Sequence, residues 1–227
     1  MPLPVMLRRR VPDRIRHSVE LRALAVGSGL IPPRALHLRA EAELLVRLAA
    51  GARRAVEIGV YEGASAAQLA RALPQGAELH LIDPFGPQPS ALLPGHRGTA
   101  WATRMVVARA ARGRDLRVVW HREYSRRVGA QWELPVDLLF IDGDHTEAGV
   151  RSDWDLFSGH VRPGGHVVFH DARDEAGGAG LPGPTAVVEE LFGPGGSHTR
   201  DWEAIAAVGR TVAVRRRLPH ADDPAHS

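Results

Sequence analysis

Read from the amino terminus, apolar positions first settle into a helical period at "RALHLRAEAELLVRLAAGA". There Leu38, Ala42, Leu45 and Leu48 share one face from about residue 34, and Gly51 supplies the stop. "RAVEIGV" then reads as a short buried strand, "SAAQLARALP" as a helix closed by Pro74, and "AELHLID" as a second strand ending at Asp83. "TAWATRMVVARAARG" returns to helix and "DLRVVWH" to strand. "VDLLFID" is apolar almost throughout, the mark of a strand covered on both faces. A helix over residues 146–157 leads through Pro163-Gly164-Gly165 into the strand "HVVFHD". Near the end "TAVVEELF" is helical, and "WEAIAAVGRTVAVRR" reads as two strands turning at Gly209-Arg210.

Strands alternating with helices imply a parallel sheet with right-handed crossovers. The closing pair breaks that rhythm, because a two-residue turn joins antiparallel strands. The expected fold is therefore α/β: a doubly wound, mostly parallel seven-stranded sheet with a terminal antiparallel strand. That Rossmann-like plan is the plan of the class I methyltransferases. It divides the chain into an N-terminal arm or lid over residues 1–33, the main domain over 34–217, and a flexible tail over 218–227. Arm and tail read as loosely held.

Composition narrows the class. At 227 residues the chain is long enough for one sizeable α/β domain and short for two. No apolar run approaches the roughly 20 residues of a membrane-spanning helix. The arginines of "MPLPVMLRRRVPDRIRH" precede no apolar stretch of the secretory kind. Cysteine is absent, which removes disulfides and thiolate sites and makes the cytoplasm the expected location. The pI near 10.3 invites a nucleic-acid reading. It follows instead from chemistry: all 29 basic residues are arginine, so little titrates between neutrality and the arginine pKa. A net charge of +3, with arginines gathered at residues 8–16 and 215–217, describes charged ends better than a binding face.

The stretch "AVEIGVYEGAS" carries the first candidate chemistry. Gly59 and Gly63 fall in the turn after the first strand, where a missing side chain lets a ligand approach the backbone. Asp83, ending the next strand, is the expected partner of ribose hydroxyls. A dinucleotide is disfavoured, since Tyr61 fills the middle glycine position of a pyrophosphate cradle and Glu57 and Glu62 add negative charge. A cofactor bearing an ammonium and a sulfonium suits those carboxylates, and S-adenosylmethionine carries both.

"VEIGVYEGAS" resembles the cofactor motif of the catechol and caffeoyl-CoA O-methyltransferases, and "VDLLFIDGDHTEAGVRSDWDLFSGHVRPGGHVVFHD" is similar to the second half of the same superfamily. The likeness spans about residues 35–215 and is greatest to small bacterial O-methyltransferases that decorate natural products and their sugars. It implies that Glu57, Gly59, Tyr61, Gly63, Ser65 and Asp83 hold the cofactor, with Asp142 beside it. It also places the adenine near Glu123 to Ser125.

Asp142, Asp144, His145, His170 and Asp171 end the fourth and fifth strands and should converge at the carboxyl edge of the sheet. In the cation-dependent relatives a metal is held at the positions of Asp142, His170 and Asp171. This chain departs from them with His-Asp in place of Asp-Asn, and it contains no asparagine. One imidazole and two carboxylates still form a facial site, in which manganese becomes as reasonable as magnesium. Where the relatives keep a lysine base, three residues after the first metal acid, this chain has His145, an imidazole poised near neutrality. The expectation is a methyltransferase acting on a hydroxyl of a small molecule, a secondary metabolite or its sugar, with Asp142 and His145 catalytic. Rival readings are a metal-independent O- or N-methyltransferase using His145 as base, a nicotinamide oxidoreductase, and a non-enzymatic nucleic-acid binder. Asp144 and Glu147 read as first-turn carboxylates favoured by the helix dipole. The acceptor's identity is expected to rest on the arm and on the loops after Asp83 and Asp171, and the arm would suit a homodimer.

Overall fold

The computed structural model describes residues 18–85, 100–174 and 180–219. Its strands are β1 (Arg54–Ile58), β2 (Ala77–Ile82), β3 (Leu116–His121), β4 (Val136–Ile141), β5 (Val161–Phe169), β6 (Trp202–Val208) and β7 (Thr211–Arg216). The helices are α1 (Val19–Ser28), α2 (Arg39–Ala49), α3 (Ala64–Ala72), α4 (Ala100–Ala110), α5 (Ser125–Gly129), α6 (Glu147–Phe157) and α7 (Pro182–Phe192). The sheet runs β3-β2-β1-β4-β5-β7-β6. Pairs β1–β2, β1–β4, β2–β3 and β4–β5 are parallel, and β7 is antiparallel to both of its neighbours.

The doubly wound plan expected from the alternation is thus the fold, with one addition. The last strand inserts between β5 and β6 rather than standing at the edge. Burial explains the choice: Thr211 to Val214 are all buried, whereas in β6 only Trp202 is buried and the rest is exposed or half-buried, as in an edge strand.

β4 shows how the two layers form. Leu138 and Phe140 pack with α2, α3 and α4, while Leu139 and Ile141 pack on the other face with Trp154 and Phe157 of α6 and Leu191 of α7. A strand with both faces covered needs apolar residues of either parity. Fully burying each such side chain contributes about 1.5–3 kcal/mol.

α2 departs from the expected pattern. It starts at Arg39, and its buried residues are Glu41, Leu44, Leu45 and Ala49, while Leu38 is exposed at the N-cap. The Glu41 carboxylate causes the change. It accepts from the backbone N–H of Leu38 at 2.6 Å and of Arg210 at 2.6 Å, which turns the helix so that an acid points inward. The strand "HVVFHD" begins earlier than the glycines suggest: β5 starts at Val161, and its register against β4 shifts between Val136 and Leu138, where Pro163 to Gly165 bulge.

The described part of the arm is tied down. α1 is capped by the Ser18 hydroxyl, which accepts from Leu21 N, and Val26 is buried. Arg109 of α4 donates to the carbonyls of Gly27 and Val26. Residues 1–17 of the arm, the tail from 220, and the greater part of the loops expected to select the acceptor (86–99 and 175–179) lie outside the described residues. Among the described residues, no helix is long and apolar enough to cross a membrane.

Candidate active site

The order of the sheet reverses between β1 and β4, so the crevice above their carboxyl ends is the natural ligand position. Gly59 sits there at φ +86°. A Cβ on it would lie 2.1 Å from the Asp142 carbonyl oxygen and 2.7 Å from the Gly143 Cα. The residue is glycine because the β1 and β4 tips touch backbone to backbone, so the steric reason lies within the protein itself. Gly63, at φ +83°, faces the Thr103 side chain, with 3.0 Å from a Cβ to Cγ2. Tyr61 adopts φ +50°, a left-handed conformation of a kind that clusters at functional loops.

Asp83 sets the shape of this loop. Its Oδ2 accepts from Val60 N and Tyr61 N, each at 2.9 Å, and its Oδ1 accepts from Phe85 N at 2.6 Å. Glu57 is completely buried. The Ser65 hydroxyl donates to its Oε1, and its Oε2 has no partner. Burial first, then the charges of Asp142 and Asp83, push the Glu57 carboxyl well above the usual range. An acid with an unmet oxygen next to two further carboxylates fits a cationic ligand, and an ammonium and sulfonium cofactor meets that demand. Ser125 begins α5, and its hydroxyl binds the buried Asp153 carboxyl, which burial raises to about 7.

The second group lies at the tips of β4 and β5. Asp142, His145, His170 and Asp171 come together there as expected. His170 Nδ1 is 3.0 Å from Asp142 Oδ1 and 3.5 Å from Asp171 Oδ2. His145 Nε2 is 3.5 Å from Asp142 Oδ1 and 3.6 Å from Asp171 Oδ2. Asp171 holds φ +52°, a second strained position at the crevice. Asp144 instead accepts from Thr146 N at 3.0 Å, and Thr146 caps α6, so Asp144 and Glu147 serve the helix start as expected.

Three residues of the cluster were not foreseen. His37, just before α2, puts Nε2 3.2 Å from Asp142 Oδ2 and its ring centroid 4.3 Å from that of His170. Glu41 puts Oε2 3.6 Å from His170 Nε2. Arg210, from the β6–β7 turn, pairs with Asp171 Oδ1 at 2.8 Å. Glu41 had left a trace in the sequence as an acid three and four positions before Leu44 and Leu45 on a buried stripe. His37 and Arg210 left none.

The charges hold one another. Burial opposes ionisation of Asp142, yet the charge of His170 and contacts from His145, His170 and His37 keep its carboxyl well below the usual range. Burial would lower His170, but Asp142, Asp171 and Glu41 push it up to about 12. His145 is raised in the same way, against burial, by Asp142 and Asp171. Burial would raise Glu41; His170 and the Leu38 and Arg210 amides bring it down to about 2. Two overlapping groups, His37–Asp142–His170 and Asp142–His145–Asp171, each bring their donor atoms within 4.8 Å of one another. Several of these atoms, including His145 Nε2 and His170 Nε2, are buried without a hydrogen-bond partner. The donors present therefore fit a divalent cation.

Residues 56–172 match a family model described as a methyltransferase domain. Among curated proteins, uncharacterized protein R132 of Acanthamoeba polyphaga mimivirus is 46% identical over 39 residues, which cover 17% of this chain and 18% of that protein. The match thus spans about a fifth of that relative's length. Among solved structures, cofactor-bound Rv0187 from MTB superposes with a TM-score of 0.57 at 23% identity, covering 96% of this chain and 100% of that one. The O-methyltransferase TomG from Streptomyces achromogenes, in complex with SAM, gives 0.56 at 21% identity over 88% and 90% of the two chains. The O-methyltransferase from Bacillus cereus with SAH gives 0.53 at 20% identity over 87% and 90%. These likenesses establish a shared Rossmann-like fold, and with the family model spanning 56–172, the chain belongs to the methyltransferase-domain family.

Proposed function

We propose that this chain is an S-adenosylmethionine-dependent methyltransferase that methylates a hydroxyl of a small molecule, with a divalent cation at the β4 and β5 tips. The observation that carries the cofactor reading is the buried Glu57 carboxyl, with its unpartnered Oε2 beside Asp83 and Asp142. The fold shared with TomG, described with SAM bound, supports the same cofactor here.

The cofactor supplies a methyl already activated on a sulfonium, so the protein has to align the acceptor and take up its proton. Glu57, with Ser65 fixing its Oε1, offers a carboxylate to the cofactor's positive groups. Asp83 orders the Val60–Tyr61 amides and keeps lone-pair capacity for ribose hydroxyls. Asp142, His170 and Asp171 would hold the cation, which when bound lowers the pKa of an acceptor hydroxyl and fixes its direction. His145 and His37 are the two less enclosed imidazoles of the cluster, with side chains 27% and 9% exposed against 2% for His170. An imidazole of that pair takes the proton as the C–S bond breaks and the C–O bond forms, leaving S-adenosylhomocysteine.

A second reading has an observation of its own. The imidazoles and carboxylates already stand at ion-pair distances, so the cluster can be neutralised without a cation, with His145 as base for an oxygen or nitrogen acceptor. Calorimetric titration of the purified chain with S-adenosylhomocysteine tests the cofactor. Micromolar-range binding that weakens in Glu57→Gln supports the proposal, and absence of binding ends it. Activity that survives exhaustive chelation selects the second reading. A cytoplasmic location, which rests on the absence of cysteine, and a secondary-metabolite or sugar acceptor, which rests on the sequence resemblance, remain part of the proposal.

A further inference from the structure

At the β4 and β5 tips Asp142, His145 and Asp171 each bring a donor atom within 4.8 Å of the others, and His170 stands beside the same two carboxylates. Asp142 Oδ1 is 3.0 Å from His170 Nδ1 and 3.5 Å from His145 Nε2. Asp171 Oδ2 closes the figure at 3.5 Å from the same His170 nitrogen and 3.6 Å from the same His145 nitrogen. A divalent ion bonded to nitrogen and oxygen at about 2.0–2.2 Å keeps neighbouring donors about 3.0–3.5 Å apart. The spacing agrees.

We propose that His145 is a metal ligand, completing a two-imidazole, two-carboxylate centre of Asp142 Oδ1, His145 Nε2, His170 Nδ1 and Asp171 Oδ2. This rests on the cation reading above and deepens it by moving His145 out of the proton acceptor's place, where its sequence position had put it.

The outward atoms support the assignment. His170 Nε2 faces Glu41 Oε2 at 3.6 Å, Asp142 Oδ2 faces His37 Nε2 at 3.2 Å, and Asp171 Oδ1 pairs with Arg210 at 2.8 Å. Asp142 and Asp171 therefore have their far oxygens in ion pairs from outside and their near oxygens turned toward His145 and His170, while His170 turns Nε2 toward the Glu41 carboxylate. Metal centres use that arrangement to fix tautomer and direction. With its Nε2 proton aimed at Glu41, which lies with its side chain 1% exposed, His170 presents Nδ1 to the ion. His145 Nε2 is buried without a hydrogen-bond partner, as expected of an atom awaiting coordination.

The donor set decides the metal. Magnesium prefers oxygen ligands and keeps several waters, whereas imidazole nitrogen favours zinc, copper, iron or nickel. The centre is accordingly selective for a transition metal, with Glu41 a positioning residue acting through His170. His37 is then the cluster's remaining imidazole.

Titration of the purified full chain with cobalt(II), followed by visible absorption, tests this without any turnover. The wild type should bind one ion per chain, and excess magnesium should fail to displace it. Glu41→Gln should weaken binding roughly 10–100-fold, the usual cost of losing an outer partner, and His145→Ala should weaken it more. Circular dichroism melts check that each variant folds. As a second measurement, electron paramagnetic resonance with copper(II) should count two imidazole nitrogens in the wild type and one in His145→Gln. Unchanged cobalt affinity and spectrum in His145→Ala, or no cobalt binding by the wild type, overturns the assignment. In the latter case intact S-adenosylhomocysteine binding would show that the cofactor reading survives, whereas loss of that binding alone would strike the proposed function and leave the centre standing.

Discussion

Arg22 and Glu62 are joined by two hydrogen bonds, Nε to Oε1 and Nη2 to Oε2, both at 2.6 Å. Glu62 also accepts from Arg34 N at 2.7 Å. One carboxylate in the first loop thus clasps α1 and the segment leading to His37. Burial would raise the Glu62 carboxyl, but Arg22 and the Arg34 amide hold it below the usual range. A depressed carboxyl contributes stability that is present above its unfolded pKa and lost as pH falls through the folded value.

Arg22→Ala should therefore release α1. The loss of a partly buried, two-pronged pair costs about 1–3 kcal/mol, since Glu62 is left buried with one partner fewer. Hydrogen exchange of the Val19–Ser28 amides should quicken relative to the β4 amides. Unchanged protection of α1 would show that Arg109 and Val26 hold the helix by themselves.

Gly59→Ala should be among the most damaging single substitutions. A side chain at φ +86° is strained, and its Cβ would meet the Asp142 carbonyl at 2.1 Å, where only backbone can yield. The expected cost is about 3 kcal/mol or more, read as a lower denaturant midpoint. A variant as stable as the wild type would mean that the β1 and β4 tips do not touch in solution.

Glu57→Gln should separate binding from folding. Burial raises the folded carboxyl well above the usual range, so its charge is not what holds the empty fold and an amide of equal size changes stability little. Affinity for S-adenosylhomocysteine should fall about 10–100-fold, the loss of one charge-assisted contact of about 1.5–3 kcal/mol. Equal affinities would remove Glu57 from the cofactor's partners.

Asp153 makes stability pH-dependent in the opposite sense to Glu62. Burial, opposed by the Ser125 hydroxyl, raises its carboxyl from 3.8 to about 7. Between those values the folded chain binds the proton that the unfolded chain has lost, so this contribution is intact near pH 4 and fades as pH rises through 7. At roughly 1.4 kcal/mol per unit, up to about 4 kcal/mol is at stake. Asp153→Asn keeps an acceptor for Ser125 and should be more stable than the wild type at pH 8, with the two converging near pH 4. Parallel unfolding curves across that range would refute the raised carboxyl.

The order of strands and helices was readable because the parallel core is written in apolar runs: "VDLLFID" announces a strand buried on both faces before any partner is known. That Asp142, His170 and Asp171 would meet was legible for a related reason, since residues ending neighbouring parallel strands share the carboxyl edge of the sheet; their reading as cation ligands came from the family resemblance. The sequence alone thus determined the fold class and one side of the cluster. Tertiary structure decided the rest. His37, Glu41 and Arg210 reach the cluster from a pre-helical turn, a helix face and a distant hairpin, and separations along the chain as great as the 169 residues between Glu41 and Arg210 carry no local period. Whether His145 faces a substrate or two carboxylates is likewise a matter of distances across space, and only packing of the β4 and β5 tips against one another sets those.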